Sequence, residues 1–388
     1  MYKHLYQRFL QAHPDSLHFA CHSHHYWPDC TREAHLKYWD DSCKYVDDKW
    51  EYFFSGPVLE TQQLIAAELN VDSAEQIVFA PNTHELVFRL LSSLDWGKSK
   101  VRILTTDSEF YSFDRQITRL EELPQFEIHK IPTLPFESFH ERFESALNSG
   151  SWDMIFISHV FFNSGLVCDI HRLAAKASAD IPFVIDGYHG FLALPTDLST
   201  LQDRAFYLAG SYKYAQGGEG ACFMYVPTGA VHRPFYTGWF AELAHLTTVN
   251  GEVGYPRNAL QYAGSTMDFS GVYRLRSVLK LFQSEGLSTD KIHEFISSNQ
   301  EHFLRELQKA ENAVFNDRNL VTQENGSHGH FLTFILKDTE ITKRTVKQLS
   351  SAGIKTDSRA NRLRFGFGLY QDQQDIEKAV QIICNTVK

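Results

Sequence analysis

Between about Val71 and Val226, short apolar runs alternate with longer stretches whose apolar residues recur every three or four positions. The runs are "QIVFA", "VRILTTD", "FEIHKIP", "DMIFISHVFF", "PFVIDGY", "AFYLAG" and "ACFMYVP", each of strand length and bounded by turn residues. Helical spacing occupies Glu85 to Leu94, "ESFHERFESALNSG" and "DIHRLAAKASA" between several of them. Strand, helix and strand repeated in this way predict an α/β fold, a mostly parallel seven-stranded sheet sandwiched by helices.

After about Tyr255 the pattern changes. "GVYRLRSVLKLFQSEG" and "IHEFISSNQEHFLRELQKA" read as long helices, "HFLTFIL" and "LRFGFG" as strands, and "DIEKAVQIICNTV" as a closing helix. The N-terminal "MYKHLYQRFLQAHPDS" has an amphipathic helical pattern. The chain therefore divides into an N-terminal segment over 1–50, a large α/β domain over 51–255 and a smaller α+β domain over 256–388. No internal repeat or low-complexity linker interrupts them.

Composition narrows the function classes. A hydrophobic fraction of 43% and a charged fraction of 22% over 388 residues are those of a globular protein with a sizeable core. A net charge of -10 without a basic run excludes a nucleic-acid partner, because phosphate binding needs clustered cations. No apolar stretch reaches the roughly 20 residues that cross a bilayer, so no membrane association is expected. Cys21, Cys30, Cys43, Cys168, Cys222 and Cys384 form no CxxC pair, a pattern that fits reduced thiols in a cytoplasmic protein.

The candidate chemistry lies in "FYLAGSYKYAQGGEGACFMYVP", where Lys213 ends a strand-like run and Gly217, Gly218 and Gly220 follow. Upstream, "PFVIDGYHG" ends four apolar residues in Asp186, with His189 three positions on. Residues at the C-terminal ends of neighbouring parallel strands face the mouth of the sheet, where ligands bind. A lysine and an aspartate so placed suit pyridoxal 5′-phosphate, whose aldehyde forms a Schiff base with an amine and whose pyridine nitrogen needs a carboxylate to remain protonated. Asn82 and Thr83 open a helix straight after a strand, a natural phosphate site. Phe110 follows another strand and can cover the ring face. Taken singly, Lys213 reads as a solvated loop residue and Asp186 as a helix cap; taken together they read as a site.

These segments resemble fold-type I, class V pyridoxal-phosphate enzymes, and among them kynureninases. "GSYKYAQGGEG" resembles the lysine segment of that family, "DGYHG" its Asp-x-x-His, "SHVFFNSG" its Ser and Gly seven residues apart, "TGWF" its Gly-Trp-Phe, and "LRFGFGLYQDQQDI" its arginine-bearing strand. The resemblance runs from about residue 17 to the end. It implies Lys213 as the Schiff-base lysine, Asp186 as the partner of the pyridine nitrogen and His189 near the ring hydroxyl. Asn82, Thr83, Ser112, Tyr212 and Trp239 would surround the phosphate, Phe110 would stack on the ring, Ser158 would lie close to it, and Arg364 would grip the substrate's α-carboxylate. Thr266 stands where kynureninases have an asparagine near the phosphate, and Phe113 where they have an aspartate.

The resemblance implies an amino-acid substrate and hydrolytic Cβ–Cγ cleavage, with another class V activity (aminotransferase, epimerase or lyase) as the alternative. Cysteine desulfurases need a nucleophilic cysteine near the C-terminal arginine, and "AGIKTDSRANRLRFG" contains none. It also implies a homodimer in which Trp239 and Thr266 reach the partner's site. The N-terminal "HFACHSHHYWPDC" departs furthest from the family. Its histidines at 18, 22, 24 and 25 match no standard zinc spacing, so they are read as lining the substrate pocket or packed, with no metal. A non-catalytic metal-binding protein is the remaining alternative. Glu219, in the glycine loop, reads as a solvated acid.

Overall fold

Runs of Val, Ile and Phe that are apolar at every position can be strands only if both faces of their sheet are covered. That is how they are used in the computed structural model, which describes residues 2–243, 253–322 and 328–387. The seven strands are β1 Ile77–Ala80, β2 Val101–Thr106, β3 Phe126–Ile131, β4 Met154–Ser158, β5 Phe183–Asp186, β6 Ala205–Gly210 and β7 Cys222–Tyr225. They form one sheet in the order β1-β7-β6-β5-β4-β2-β3. Neighbours are parallel except at β7, which runs against both β6 and β1. Helices Thr83–Ser92, Tyr111–Glu121, Phe139–Ser149 and Ile170–Lys176 connect these strands. The chain thus has the expected mostly parallel, seven-stranded α/β architecture.

The register aligns the chemistry. Ser158, the last residue of β4, pairs with Asp186, the last of β5, and Asp186 pairs with Leu208 on β6. Lys213 follows three residues after the end of β6. One edge of the sheet therefore collects Ser158, Asp186 and Lys213 from three successive strands. The expected strand "DMIFISHVFF" stops at Ser158, because the chain then folds back so that Val160 bridges Val167.

A second sheet joins β8 Phe331–Ile335, β9 Asp357–Arg359 and β10 Arg362–Gly366, antiparallel in the order β9-β10-β8. Helices Thr289–Lys309, Thr339–Ser351 and Gln373–Thr386 belong to the same C-terminal half. The last of them starts on a capping box between Asp372 and Asp375, and Lys3 sits 2.7 Å from both carboxylates. Helix Ser270–Ser284 is buried on all sides over Ser270 to Leu275 and packs along helix Cys30–Tyr45. One continuous apolar core runs through both halves.

The N-terminus is a single 3₁₀ turn, Lys3–Tyr6, followed by helix Gln7–Ala12. The helix ends at His13 because the residue before Pro14 disfavours the α region. Leu17 and His18 then pair in parallel with Ile354 and Lys355, and the Gly366 N–H donates to the Phe19 carbonyl at 2.7 Å. These bonds seat the histidine-rich segment beside β10 and Arg364. Among the described residues, no helix is long and apolar enough to cross a membrane.

Candidate active site

A cavity of roughly 780 Å³, counting its open mouth, lies at the C-terminal edge of the sheet. Asn82, Thr83, Phe110, Ser112, Ser158, Asp186, His189, Tyr212 and Lys213 all line it, nine of the twelve positions singled out in the sequence. Trp239, Thr266 and Arg364 do not. The Trp239 indole N–H donates to Thr266 Oγ1 at 3.1 Å, and Thr266 borders a separate hollow beside Glu85 and Arg89. Within one chain these two groups therefore stand off the cavity.

Lys213 is the centre of the arrangement. Its Nζ lies 2.6 Å from His189 Nε2, and the rings of Tyr188 and Phe110 stand 4.9 and 5.3 Å away. Burial lowers the lysine pKa to about 7; the charge of Asp186 opposes that shift, and Arg364 and Arg359 add to it. Near neutral pH a large share of the amine is thus unprotonated and nucleophilic. Burial likewise raises the Asp186 carboxyl, held back by the Tyr188 N–H at 2.9 Å and by the Lys213 charge. His189 is kept neutral by burial and then by Lys213, and its Nδ1 has no hydrogen-bond partner.

The opposite wall is the start of helix Thr83–Ser92. Asn82 caps it, its Oδ1 accepting the Glu85 N–H at 2.9 Å. Asn82, Thr83 and His84 face the cavity there, opposite Ser112 and Tyr212. Helix N-termini carry free N–H groups and a positive dipole end, so this wall suits a phosphate. The glycine loop after Lys213 makes room on the other side. Gly218 has φ +72°, and a Cβ there would lie 2.4 Å from the Trp27 ring. The Arg274 guanidinium holds this loop, donating to the Gly217 carbonyl at 2.7 Å and to that of Glu219. Glu219 itself is exposed at the cavity mouth.

Pyridoxal 5′-phosphate fits these residues. An amine, a carboxylate one strand away, an anion-binding helix start, an aromatic wall and an unpartnered His189 Nδ1 converge on one cavity of suitable size. The thiol that also lines it, Cys222, is held neutral: burial pushes it up to about 12, and the Tyr188 hydroxyl is 3.5 Å from its sulfur. No cysteine occurs between Ala352 and Gly366.

Arg364 is 2% exposed and already engaged. It donates to the Phe162 carbonyl and, at 2.6 Å, to Asp357 Oδ2, while its Nε has no partner. Phe113, where kynureninases carry an aspartate, is buried and stacks on Phe156 with ring centres 3.6 Å apart. Sequence reasoning missed Glu109. This carboxyl is buried behind Ser158, accepting its hydroxyl at 2.5 Å and that of Thr106 at 2.6 Å. Burial raises its pKa to about 8, and the nearby Asp186 charge adds to the rise. Its position just before Phe110 was the available signal.

The N-terminal histidines do not share one point. His18 stacks on Tyr26, His25 packs edge-on against Tyr370, His24 tilts toward Tyr212 and His22 stacks on Phe331. Among the described residues, no three His, Cys, Asp or Glu side chains are grouped to hold a metal ion.

The aminotransferase class-V family model matches residues 54–379. No curated protein matches the sequence. Among solved structures, the chain is similar to the cystine C-S lyase C-DES in complex with its product cysteine persulfide, with a TM-score of 0.83, 16% identity, 98% of this chain covered and 100% of that one. A C-DES variant with glycine covalently linked to its PLP cofactor gives a TM-score of 0.82 at 16% identity, covering 97% and 99%. The cysteine desulfurase CsdA from Escherichia coli gives 0.79 at 14% identity, covering 96% and 95%. These structures share the fold; they lend no support to the narrower kynureninase resemblance. The chain belongs to the class V aminotransferase family, and its cofactor is pyridoxal 5′-phosphate.

Proposed function

We propose that this class V enzyme removes the Cα proton of an amino acid and breaks a bond at Cβ, with Lys213 as the base. When bound, the cofactor supplies an electron sink for the charge left at Cα. The rest falls to the protein's own side chains. Lys213, with its pKa near 7, can attack a carbonyl carbon and afterwards accept and return a proton at Cα. Asp186 would hold a proton on the ring nitrogen, a role supported by its place at the end of the strand that pairs with the one leading to Lys213. His189 would meet the ring hydroxyl, Phe110 would cover the ring, and Asn82, Thr83, Ser112 and Tyr212 would take the phosphate. Arg364 would take the substrate's carboxylate. Trp239 and Thr266 would serve the partner's site in a C₂ homodimer.

The observation that carries this reading is the meeting of Lys213, Asp186 and the helix start at Thr83 in one cavity that offers no reactive thiol. A desulfurase mechanism needs such a thiol to accept sulfur. Elimination from Cβ needs only one mobile proton and therefore suits Lys213 acting alone; one of the similar structures, C-DES, is a cystine C-S lyase. Hydrolytic Cβ–Cγ cleavage shares the first step and is favoured by the kynureninase-like "SYKY" and "DGYHG" segments.

Products decide between them. The holoenzyme should be incubated with cystine, cysteine, kynurenine and 3-hydroxykynurenine, each with and without a keto acid. Pyruvate and ammonium report elimination, and alanine with an aromatic acid reports Cβ–Cγ cleavage. Turnover that strictly requires a keto acid would show aminotransfer and defeat the proposal. So would undiminished turnover by Lys213→Ala.

A further inference from the structure

His22 belongs to the segment that departs most from the family, and its environment is unusual. The ring is 1% exposed, yet neither nitrogen has a hydrogen-bond partner. Leaving such a group unpaired costs about 1–3 kcal/mol, so a buried imidazole in this position invites a hydrogen-bond partner. The fold fixes its place firmly. One face of the ring lies on Phe331, whose ring also contacts His189, the neighbour of Lys213. At the edge, a Cβ on Gly366 would stand 2.3 Å from Nδ1, so the residue two positions after Arg364 is one that leaves room for this ring.

His22 and Arg364 flank the same carboxylate oxygen. Asp357 Oδ2 is 2.6 Å from the guanidinium and 3.9 Å from His22 Nε2, too far for a hydrogen bond to the imidazole. Arg364 has a second unsatisfied donor, the buried Nε. Arg359 is bound to the other oxygen of Asp357 at 2.8 Å. Two guanidinium charges against one carboxylate leave a surplus of one positive charge. Burial, and then the Arg364 charge, keep the His22 imidazole neutral, so it offers one donor and one acceptor without adding charge. A single anion with two acceptor oxygens would suit both a His22 N–H and the Arg364 Nε.

We propose that His22 is a substrate ligand, which together with the Arg364 Nε receives the α-carboxylate of the amino acid and so makes the N-terminal segment part of substrate selection. Asp357 and the Phe162 carbonyl fix the guanidinium from its other side. The inference rests on the amino-acid reading of the site given above, and it assigns to the histidine-rich N-terminal segment a share in a task otherwise given to Arg364 alone.

The test is a titration of the holoenzyme with L-alanine and with L-alaninamide, which lacks the carboxylate, followed by the visible absorbance of the bound cofactor and by calorimetry. His22→Leu should weaken alanine binding about tenfold, the worth of one buried hydrogen bond to a charged group, and leave alaninamide binding unchanged. His22→Asn keeps an N–H donor and should recover part of the loss. Equal loss for both probes, or no loss for alanine, would overturn the assignment while leaving the reading of the site intact. If the wild-type protein took up cofactor but responded to neither probe, both would fall.

Discussion

The strongest test of the site is the stability of the cofactor-free protein when Lys213 is replaced by Met. The side chain is 5% exposed, and burial lowers its pKa from 10.5 to about 7. In the unfolded chain it binds a proton up to pH 10.5, whereas the folded protein releases that proton from about pH 7. Between those values the unfolded state holds more protons, so stability rises with pH at about 1.4 kcal/mol per unit. The penalty for carrying this lysine is therefore about 4–5 kcal/mol near pH 6.5 and about 1–2 kcal/mol near pH 9.5. Methionine preserves the volume and removes the charge, at the loss of the contact to His189, which stabilises by about 1 kcal/mol. Lys213→Met should thus be more stable than wild type by about 3 kcal/mol near pH 6.5 and no more stable near pH 9.5. Urea unfolding at both pH values, followed by tryptophan fluorescence, measures the two gaps. A gap that is absent, or that does not shrink as pH rises, would refute a buried lysine poised near neutrality.

Three further outcomes follow from neighbouring residues. Glu109→Gln reverses the sign: a carboxyl with a folded pKa of about 8 makes wild-type stability fall as pH rises from 4.5 toward 8. The cofactor-free variant should gain on wild type by about 1.4 kcal/mol per pH unit in that window, read from urea midpoints, and a constant difference would contradict the assignment. Asp186→Asn should retain cofactor but slow Cα proton exchange, followed by NMR in heavy water with L-alanine, on the order of 100- to 1,000-fold. Gly218→Ala meets both a left-handed backbone at φ +72° and the Trp27 ring. It should lower stability by about 1–3 kcal/mol, seen as a reduced Tm, and an unchanged Tm would show that the loop yields freely.

The sheet was legible because burial on both faces leaves an unbroken apolar signature, and each of the seven runs became a strand. The reactive edge was legible for a related reason: Asp186 and Lys213 interrupt or follow such runs at their C-terminal ends, where the architecture puts ligands. Helix Thr339–Ser351 was not foreseen, because its sequence "TEITKRTVKQLSS" is mostly polar with several Thr, and only tertiary packing of Thr342, Thr345 and Leu349 selects it. Glu109 was missed for another reason, and His22 was read only as one of four histidines lining the substrate pocket or packed. Their importance comes from burial without charge, and nothing in a sequence shows whether a carboxyl or an imidazole has been sealed from water. Arg364 was read as gripping the substrate's α-carboxylate; that Asp357, seven residues upstream, holds one edge of it was not foreseen.

These shifts act together. Taking a lysine, a glutamate and a histidine into one low-dielectric region is costly if each keeps its charge, and the fold lowers that cost by favouring the neutral form of all three. The charges that remain are Asp186 and the pairs of Asp357 with Arg364 and Arg359, so the region around Lys213 is close to neutral before any ligand enters. On the reading proposed above, a dianionic phosphate would go to the helix start at Asn82–Thr83, and a carboxylate would go toward Arg364, which does not itself line the cavity. The two anionic groups of cofactor and substrate would thereby be kept apart. That separation would fix which way an amino acid lies over the Lys213 amine. It also explains why replacing Glu109 or Lys213 with a permanently charged residue should disturb ligand orientation as well as stability.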